Sequence, residues 1–192
     1  MCIRDRNIEE SNKKWINFSL TKEALLSFDN KKAAGPDEIK PVLFEYLPDN
    51  FIRHLVFIYK CVIKLRYTPL LWKDTKVIFI PKPGKQRYDT PKSFRPISLS
   101  NYFLKTLEKL MNWKIDEDLR KNPLHKAQHG FTKRKGTESA ASNVVSYIEN
   151  NIYSTKHCIG VFLDISSAFD TIRPSHIKEE MKQRTENEDL VE

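Results

Sequence analysis

The sequence contains few cysteines, and none of them pairs with another in a recognisable motif. Cys2, Cys61 and Cys158 lie far apart in the 192 residues and form no C-x-x-C pair. A disulfide framework or a zinc site needs cysteines at closer spacing, so the pattern argues against both. We interpret the three as reduced thiols, which predicts an intracellular, reducing location and does not separate nucleus from cytoplasm.

Long apolar runs are also missing. A helix that crosses a bilayer needs about 20 consecutive apolar residues, and every apolar run in this chain is far shorter. The sequence opens with no secretory signal pattern, and it shows neither an internal repeat nor a low-complexity linker. With 40% hydrophobic and 30% charged residues, the composition predicts a soluble globular protein that has no membrane partner.

Positive charge is concentrated in the middle of the chain. The formal net charge is +8, but residues 53–135 hold 20 Lys and Arg against 6 Asp and Glu, which gives +14 there and −6 elsewhere. Lysines alternate with Tyr, Phe and Trp in this block, a pattern that favours contact with a polyanion, nucleic acid first. On charge alone, a merely solvated basic surface remains the alternative.

The hydrophobic pattern predicts a mixture of helices and strands. Helices are predicted over residues 21–30, 51–66, 102–121, 137–151 and 174–184. Strands are predicted at Thr75–Ile80 and Ser93–Ser98, joined by a basic turn into a hairpin. Two helices carry stripes that we expect to be buried: Leu104, Leu107, Met111, Ile115 and Leu119 on the first, and Ala140, Ala141, Val144, Val145 and Ile148 on the second.

The segment Cys158–Asp170 organises the rest of the interpretation. It reads C-I-G-V-F-L-D-I-S-S-A-F-D, and its apolar part, Ile159–Leu163, is typical of a strand buried on both faces. An ionised Asp164 at the end of such a strand is costly unless its charge is compensated, and a bound cation is the usual compensation in a cleft. The alternative is that Asp164 merely caps the turn after the strand.

Several blocks of the sequence resemble one family in the same order along the chain. They are K-A-A-G-P-D at 32–37, V-I-F-I-P-K-P-G-K at 77–85, F-R-P-I-S-L-S at 94–100, Q-H-G-F-T-K-R-K-G-T at 128–137 and F-L-D-I-S-S-A-F-D at 162–170. The family is that of reverse transcriptases, and the resemblance is strongest to those of non-LTR (LINE- and Jockey-type) retrotransposons. It covers roughly residues 20 to 184, and the last block resembles the first catalytic motif.

The resemblance implies an α+β fold that is part of a right-hand polymerase. Helical fingers with a β-hairpin would lead into an incomplete palm sheet. Residues 1–18 would be a lead-in outside the fold, 19–157 the fingers with the start of the palm, 158–184 the palm segment with the first catalytic motif, and 185–192 a frayed tail.

The same resemblance implies a metal site at the predicted strand end. Asp164 would be the catalytic metal ligand, assisted by the Ile165 carbonyl. The complete enzyme would hold two Mg²⁺ ions, which activate a primer 3′-hydroxyl and neutralise the leaving pyrophosphate. Asp170 could cap the following turn or add a second carboxylate, and the sequence leaves both open.

The resemblance also assigns residues to the incoming deoxynucleoside triphosphate (dNTP). Lys82 and Arg95 would contact the triphosphate, because a guanidinium offers a planar fork and an ammonium a mobile point charge. The backbone amides of Ser167 and Ala168 would lie beneath that triphosphate. Phe169 would stack under the sugar, where a bulky ring disfavours a 2′-hydroxyl.

The implied partners are an RNA template, a DNA primer, the dNTP and the remaining part of a polymerase polyprotein. Lys133, Arg134 and Lys135 would neutralise phosphates of the template and primer, and we expect Phe131 to be a packing anchor. The family's second carboxylate source, a hairpin reading roughly [FY]-x-D-D, is absent, since no two Asp residues are adjacent. We therefore predict that these residues alone do not extend a primer. Two alternatives remain, a degenerate RNA-binding fragment and an intron-maturase reverse transcriptase.

Overall fold

The computed structural model describes residues 14–154, 157–165, 168–185 and 190. Its helices and strands, in chain order, are α1 Phe18–Leu26, α2 Asp49–Leu65, α3 Leu70–Lys73, β1 Thr75–Pro81, β2 Phe94–Ser100, α4 Tyr102–Lys121, α5 Thr137–Tyr153, α6 Ala168–Thr171 and α7 Pro174–Arg184. Two 3₁₀ turns, Pro41–Tyr46 and Pro91–Ser93, lie between them. The α+β class is therefore confirmed. No helix in the described ranges is long and apolar enough to cross a membrane.

The chain divides into two compact units, the first ending at Ile115 and the second beginning at Asp116. The first unit has a hydrophobic core between α1, α2 and the N-terminal part of α4. The buried hydrophobic residues are Trp15, Ile16, Ala24, Leu25, Phe44, Ile52, Leu55, Tyr59, Val62, Tyr102, Leu107 and Leu110. Trp15 and Ile16 belong to the predicted lead-in, so the packing extends into it.

Helix α1 begins earlier than the sequence pattern indicated. The side chain of Asn17 accepts a hydrogen bond from the Leu20 amide at 2.9 Å and caps the helix, as Asn commonly does. Thr21, the first residue of the predicted helix, is instead buried within it. Helix α2 matches its prediction to within two residues, and Arg66, directly after its last residue, adopts a left-handed conformation with φ 52°.

A buried tyrosine joins α2 to α4. The Tyr59 hydroxyl donates a hydrogen bond to the Phe103 carbonyl at 2.7 Å, and its ring lies edge-on to Trp72 at 5.8 Å. Burial raises the pKa of Tyr59 far above its ordinary value, an effect only partly opposed by a hydrogen bond with Thr106. The phenol therefore stays protonated and serves as a donor that joins the two helices.

The K-A-A-G-P-D block packs against the junction between β2 and α4. A Cβ on Gly35 would lie 2.8 Å from the Ser100 carbonyl oxygen, so only glycine fits there. Asn101 donates a side-chain hydrogen bond to Asp37, and its own side-chain oxygen accepts from the Phe103 amide at 2.7 Å. The block thus fixes the start of α4 at the point where β2 ends.

Helix α4 has its predicted bounds, but its buried face is displaced from the predicted one. Leu107 is buried as expected, whereas Leu104, Met111, Ile115 and Leu119 are only half-buried. The most deeply buried positions are Tyr102, Thr106, Leu107 and Leu110. The Thr106 hydroxyl returns a hydrogen bond to the Tyr102 carbonyl at 2.7 Å, which makes a polar residue tolerable inside the core.

The predicted antiparallel hairpin is confirmed. Strands β1 and β2 pair in a continuous register from Thr75 opposite Ser100 to Pro81 opposite Phe94. The pairing leaves a loop at residues 82–93, which includes the 3₁₀ turn. Most side chains of both strands are exposed. No further strand pairs with the hairpin among the described residues.

Two predictions about the second unit are wrong. The stripe on α5 is largely exposed, with Val144 at 55% and Val145 at 51%, because no layer in the described chain covers it. The strand predicted at Ile159–Leu163 is wrong, since the chain there is unpaired and Phe162 is 95% exposed. A strand buried on both faces needs neighbouring strands, and no described strand pairs with this segment.

Helix α7 has the predicted bounds and closes the second unit. It begins at Pro174, where a missing amide proton costs nothing. Beyond its end, the buried Thr185 hydroxyl donates to the Asp118 carboxylate of α4, and the Asn122 side-chain amide donates to the Arg184 carbonyl at 3.1 Å. These contacts join the two ends of the unit, including the first residue of the predicted tail.

Candidate active site

The hairpin brings the two predicted triphosphate ligands to one face. Arg95 lies directly opposite Ile80 in the register, and Lys82 follows two residues after Ile80. Because side chains alternate between faces along a strand, Lys82 and Arg95 point to the same side, as diagonal neighbours across the ladder. The register therefore puts the two residues at diagonal positions on one face, where the hairpin opens into its loop.

Lys82 is held by three hydrogen bonds. Its amide donates to the Ser93 carbonyl at 2.8 Å, which extends the strand pairing by one step. Its carbonyl accepts from the Tyr88 hydroxyl at 2.8 Å, and its ammonium donates to the Lys92 carbonyl, also at 2.8 Å. An ammonium has three N–H donors, and within the described residues two of them remain for an anion.

The rest of the loop is organised by Ser93. Ser93 is buried, with 5% of its surface exposed. Its hydroxyl donates to the Arg87 carbonyl at 2.8 Å and contacts the Thr90 hydroxyl at 3.2 Å. The ring of Tyr88 packs edge-on against Phe94 at 6.0 Å. These contacts define the residues from Lys82 to Ser93 as an ordered loop, which we call the 82–93 loop.

Arg95 itself is exposed on β2. Within the ranges that the structure describes, its guanidinium makes no ion pair. A planar guanidinium with five donors that faces solvent can accept two oxygens of a phosphate. The hairpin therefore offers one oriented ammonium and one accessible guanidinium on the same face.

The predicted metal ligands lie in the second unit. Asp164 and Ile165 are consecutive, exposed and outside any helix or strand. A carboxylate and a backbone carbonyl are hard oxygen donors, the type that Mg²⁺ prefers, and their exposure leaves room for water and phosphate ligands. No cluster of three His, Cys, Asp or Glu side chains forms among the described residues. The donors thus fit Mg²⁺ in kind, and a full site needs further ligands.

The other residues of the first catalytic motif are only partly described. Ser167 lies outside the described residues, and so does the side chain of Phe169. Ala168 is the first residue of the short helix α6, and its side chain is half-buried. The described backbone therefore shows a short helix that begins at Ala168, and residues 166 and 167 lie outside the described residues.

The basic block near residue 130 is a loop supported by α5. Both ring nitrogens of His129 contact α5, one at 2.7 Å from the Ser139 hydroxyl and the other at 3.1 Å from the Asn143 side-chain amide. Lys133 and Arg134 are exposed. The Lys135 ammonium donates to the Lys126 carbonyl and is half-buried, so it is the least available of the three predicted phosphate contacts.

Phe131 differs from its prediction. The expected packing anchor is 100% exposed and has a positive φ of 54°. Gly130 precedes it, and the Gly130 carbonyl accepts from both Gln128 and Thr132, which holds the loop in a tight bend. The ring therefore packs on nothing in the described chain.

Two features of the site were not recognised in the sequence. The loop contacts of Tyr88 and Ser93 join residues that are close in sequence but share no periodic pattern, so no signal identifies them. The capping role of Asn101 did have a signal, because Asn directly before a helical run is a typical N-cap.

Comparison with known proteins agrees with the motifs. A family model described as reverse transcriptase (RNA-dependent DNA polymerase) matches residues 80–191. The RNA-directed DNA polymerase from mobile element jockey of Drosophila melanogaster is 31% identical over 159 residues, 82% of this chain and 17% of that protein. The probable RNA-directed DNA polymerase from transposon BS of the same species is 29% identical over 151 residues, 78% of this chain and 17% of that protein.

A third relative, the probable RNA-directed DNA polymerase from transposon X-element of Drosophila melanogaster, is 31% identical over 164 residues, 84% of this chain and 18% of that protein. The chain thus spans about a sixth of the length of these relatives.

Proposed function

Because this chain belongs to the reverse transcriptase (RNA-dependent DNA polymerase) family, we propose that it is the fingers and first catalytic segment of a non-LTR retrotransposon polymerase. The enzyme would copy an RNA template into DNA by adding dNTPs to a primer 3′-hydroxyl. The observation that carries the proposal is the hairpin face that presents Lys82 and Arg95 together. It is supported by the similarity to three transposon polymerases.

The hairpin would bind the triphosphate of the incoming nucleotide. Arg95 offers two parallel N–H donors to phosphate oxygens, and Lys82 adds a second positive charge from the same face. These cations stabilise charge that increases on the leaving pyrophosphate during transfer. The backbone amides of Ser167 and Ala168 and the ring of Phe169 would bind the rest of the nucleotide.

Asp164 and the Ile165 carbonyl would hold Mg²⁺. When bound, two Mg²⁺ ions lower the pKa of the primer hydroxyl and neutralise the departing pyrophosphate. The role of this chain is to supply hard oxygen donors on an exposed segment that substrate can reach. The remaining carboxylates would come from other parts of the polymerase, which is why we propose that this chain alone does not extend a primer.

The exposed apolar surface of the second unit supports the same conclusion. Ile159, Phe162 and Leu163 are more than 90% exposed, and so large a row of apolar side chains is unusual on the surface of a finished domain. We propose that other parts of the polyprotein cover this segment.

A second candidate function is RNA binding without catalysis. The exposed cations Lys133 and Arg134 favour it, because they need no metal to neutralise phosphates. The two functions differ in their response to nucleotide. A polymerase segment binds primer and template more tightly when Mg²⁺ and the complementary dNTP are present, whereas a pure binder gains nothing.

Binding can be tested on the chain itself with a fluorescent RNA-template and DNA-primer hybrid. We expect anisotropy titrations to give a tighter complex with Mg²⁺ and the complementary dNTP than with a mismatched dNTP. Arg95→Ala should abolish this gain and leave the binding of the hybrid alone unchanged. Equal affinity with and without nucleotide would favour the RNA-binding alternative.

Catalysis can be tested by grafting. Residues 80–191 would replace the aligned residues of the jockey polymerase, and RNA-templated incorporation of labelled dNTP would be measured. The chimera should extend the primer, and its Asp164→Asn variant should not. Incorporation that survives Asp164→Asn would contradict the assigned metal ligand, and incorporation by the ungrafted chain would contradict the prediction that it is inactive alone.

A further inference from the structure

The ammonium of Lys82 is oriented by its own loop before any ligand is present. A free lysine side chain has many rotamers, and binding an anion with it normally requires ordering them. Here the ammonium already donates to the Lys92 carbonyl at 2.8 Å. The loop therefore fixes the position of the charge and leaves two of its three N–H donors for a ligand.

Two side chains outside the predicted site maintain that arrangement. The Tyr88 hydroxyl holds the Lys82 carbonyl at 2.8 Å, and its ring packs on Phe94. The Ser93 hydroxyl ties the Arg87 carbonyl from a buried position, and the Ser93 carbonyl receives the Lys82 amide at 2.8 Å. Ser93 and Arg95 lie two residues apart on the same chain segment. The backbone that holds the end of the loop therefore also carries the guanidinium.

We propose that Tyr88 and Ser93 are positioning residues for the nucleotide triphosphate, acting through Lys82. The proposal rests on the proposed function, because it assumes that Lys82 and Arg95 bind the triphosphate. Neither positioning residue touches the ligand. They hold the 82–93 loop closed so that the Lys82 ammonium faces the same side of the hairpin as the guanidinium, which lowers the ordering cost of binding.

The test uses the full chain and a fluorescent nucleotide, N-methylanthraniloyl dATP, titrated in the presence of Mg²⁺. Tyr88→Phe and Ser93→Ala should each weaken binding about fivefold, the effect of one lost hydrogen bond. Matched controls are Tyr46→Phe and Ser19→Ala, which change exposed side chains far from the hairpin in sequence and should leave affinity unchanged. Thermal unfolding of each variant reports whether the fold is intact.

A double-mutant cycle separates positioning from general support of the fold. If Tyr88 acts through Lys82, Tyr88→Phe should have no further effect on affinity in a Lys82→Met background. A merely structural role would instead give effects that add. Tyr88 is 45% exposed, so this variant is informative even if Ser93→Ala fails to fold.

The outcomes distinguish this inference from the proposed function. If the unmodified chain does not bind the nucleotide, or if Arg95→Ala binds it equally well, the proposed triphosphate site is wrong and the inference falls with it. If Arg95→Ala and Lys82→Met weaken binding while Tyr88→Phe does not, only the inference is overturned. Additive effects in the cycle also overturn it.

Discussion

At the scale of single residues, the clearest requirement is for glycine at position 35. A Cβ there would lie 2.8 Å from one backbone oxygen and 2.9 Å from a backbone carbon, both of Ser100. Backbone atoms cannot move aside as a flexible side chain can, so Gly35→Ala must displace the K-A-A-G-P-D block. We expect the free energy of unfolding to fall by about 1–3 kcal/mol, as for other overpacked sites.

Denaturant unfolding measures this effect, and Gly136 supplies the matched control. A Cβ at Gly136 meets no atom within 4 Å, and its φ of −163° is extended backbone. Gly136 is the N-cap of α5, where alanine is less favourable than glycine, so Gly136→Ala should lower the free energy of unfolding by only about 0.5 kcal/mol. Equal effects of the two substitutions would show that Gly35 does not pack as tightly as the structure indicates.

At the scale of secondary-structure elements, the sequence correctly predicted the helices and strands that depend on local patterns of residues. The β-branched run from Thr75, ended by Pro81, gave the first strand, and Pro174 correctly gave the start of α7. Patterns that depend on a partner failed. Val144 on α5 and the run Ile159–Leu163 have core-like sequences, but no described element covers them. Periodicity in the sequence shows which face of an element would be buried, but it does not identify the element that covers that face.

The start of α4 depends on one capping side chain. Asn101 accepts from the Phe103 amide at 2.7 Å and also donates to Asp37, so its loss removes two contacts. Asn101→Ala should lower the free energy of unfolding by about 1–2 kcal/mol. Asn112→Ala, an exposed position on the same helix, is the control and should have little effect. Comparable losses in the two variants would argue against the cap.

Helix α4 also carries a carboxyl group whose charge opposes folding. Desolvation by neighbouring groups raises the pKa of Glu108, although its side chain is exposed, and nearby Lys105 opposes the shift only in part. A raised pKa means that the folded chain holds this proton more tightly than the unfolded chain. The associated stabilisation is therefore complete below the ordinary pKa of 4.5 and is lost as pH rises through the folded value.

Glu108→Gln removes the ionisation and should stabilise the chain slightly at pH 7, by no more than about 0.5 kcal/mol. The difference from the unmodified chain should shrink as pH falls below 4.5, because the carboxyl group becomes protonated in both states. Unfolding midpoints measured across this range test the sign, with Glu23→Gln on α1 as an exposed control. A Glu108→Gln variant that is less stable at pH 7 than at pH 4, relative to the unmodified chain, would contradict it.

At the scale of the whole molecule, the sequence predicted which chemical groups the candidate site contains better than it predicted how the fold arranges them. Lys82 and Arg95 are brought to one hairpin face because strand register is a local property. Asp164 and Ile165 offer the predicted kind of ligand atoms, but they lie outside any strand, and the described sheet consists of β1 and β2 alone. The prediction that Phe131 is a packing anchor is wrong, because an anchor needs a surface to pack on and no described residue covers its ring.

Charge is the other whole-molecule property, and it predicts how nucleic acid is bound. The middle block carries +14, and within it Lys133 and Arg134 are exposed on a loop braced by α5. Each phosphate contact contributes about 0.7–0.9 to the slope of log affinity against log salt. A variant with Lys133→Gln and Arg134→Gln should therefore bind the primer–template hybrid more weakly, with a slope smaller in magnitude by about 1.5.

The effect should be the same for hybrids of different sequence, because backbone contacts carry no sequence information. The matched control is Lys31→Gln with Lys32→Gln, two exposed lysines that lie outside the basic block. This control variant removes the same net charge. It should therefore reproduce only the part of the change in the salt-dependence slope that comes from the overall charge of the protein. An unchanged slope in the Lys133 and Arg134 variant, or an equal change in the control, would mean that this loop does not contact the phosphates.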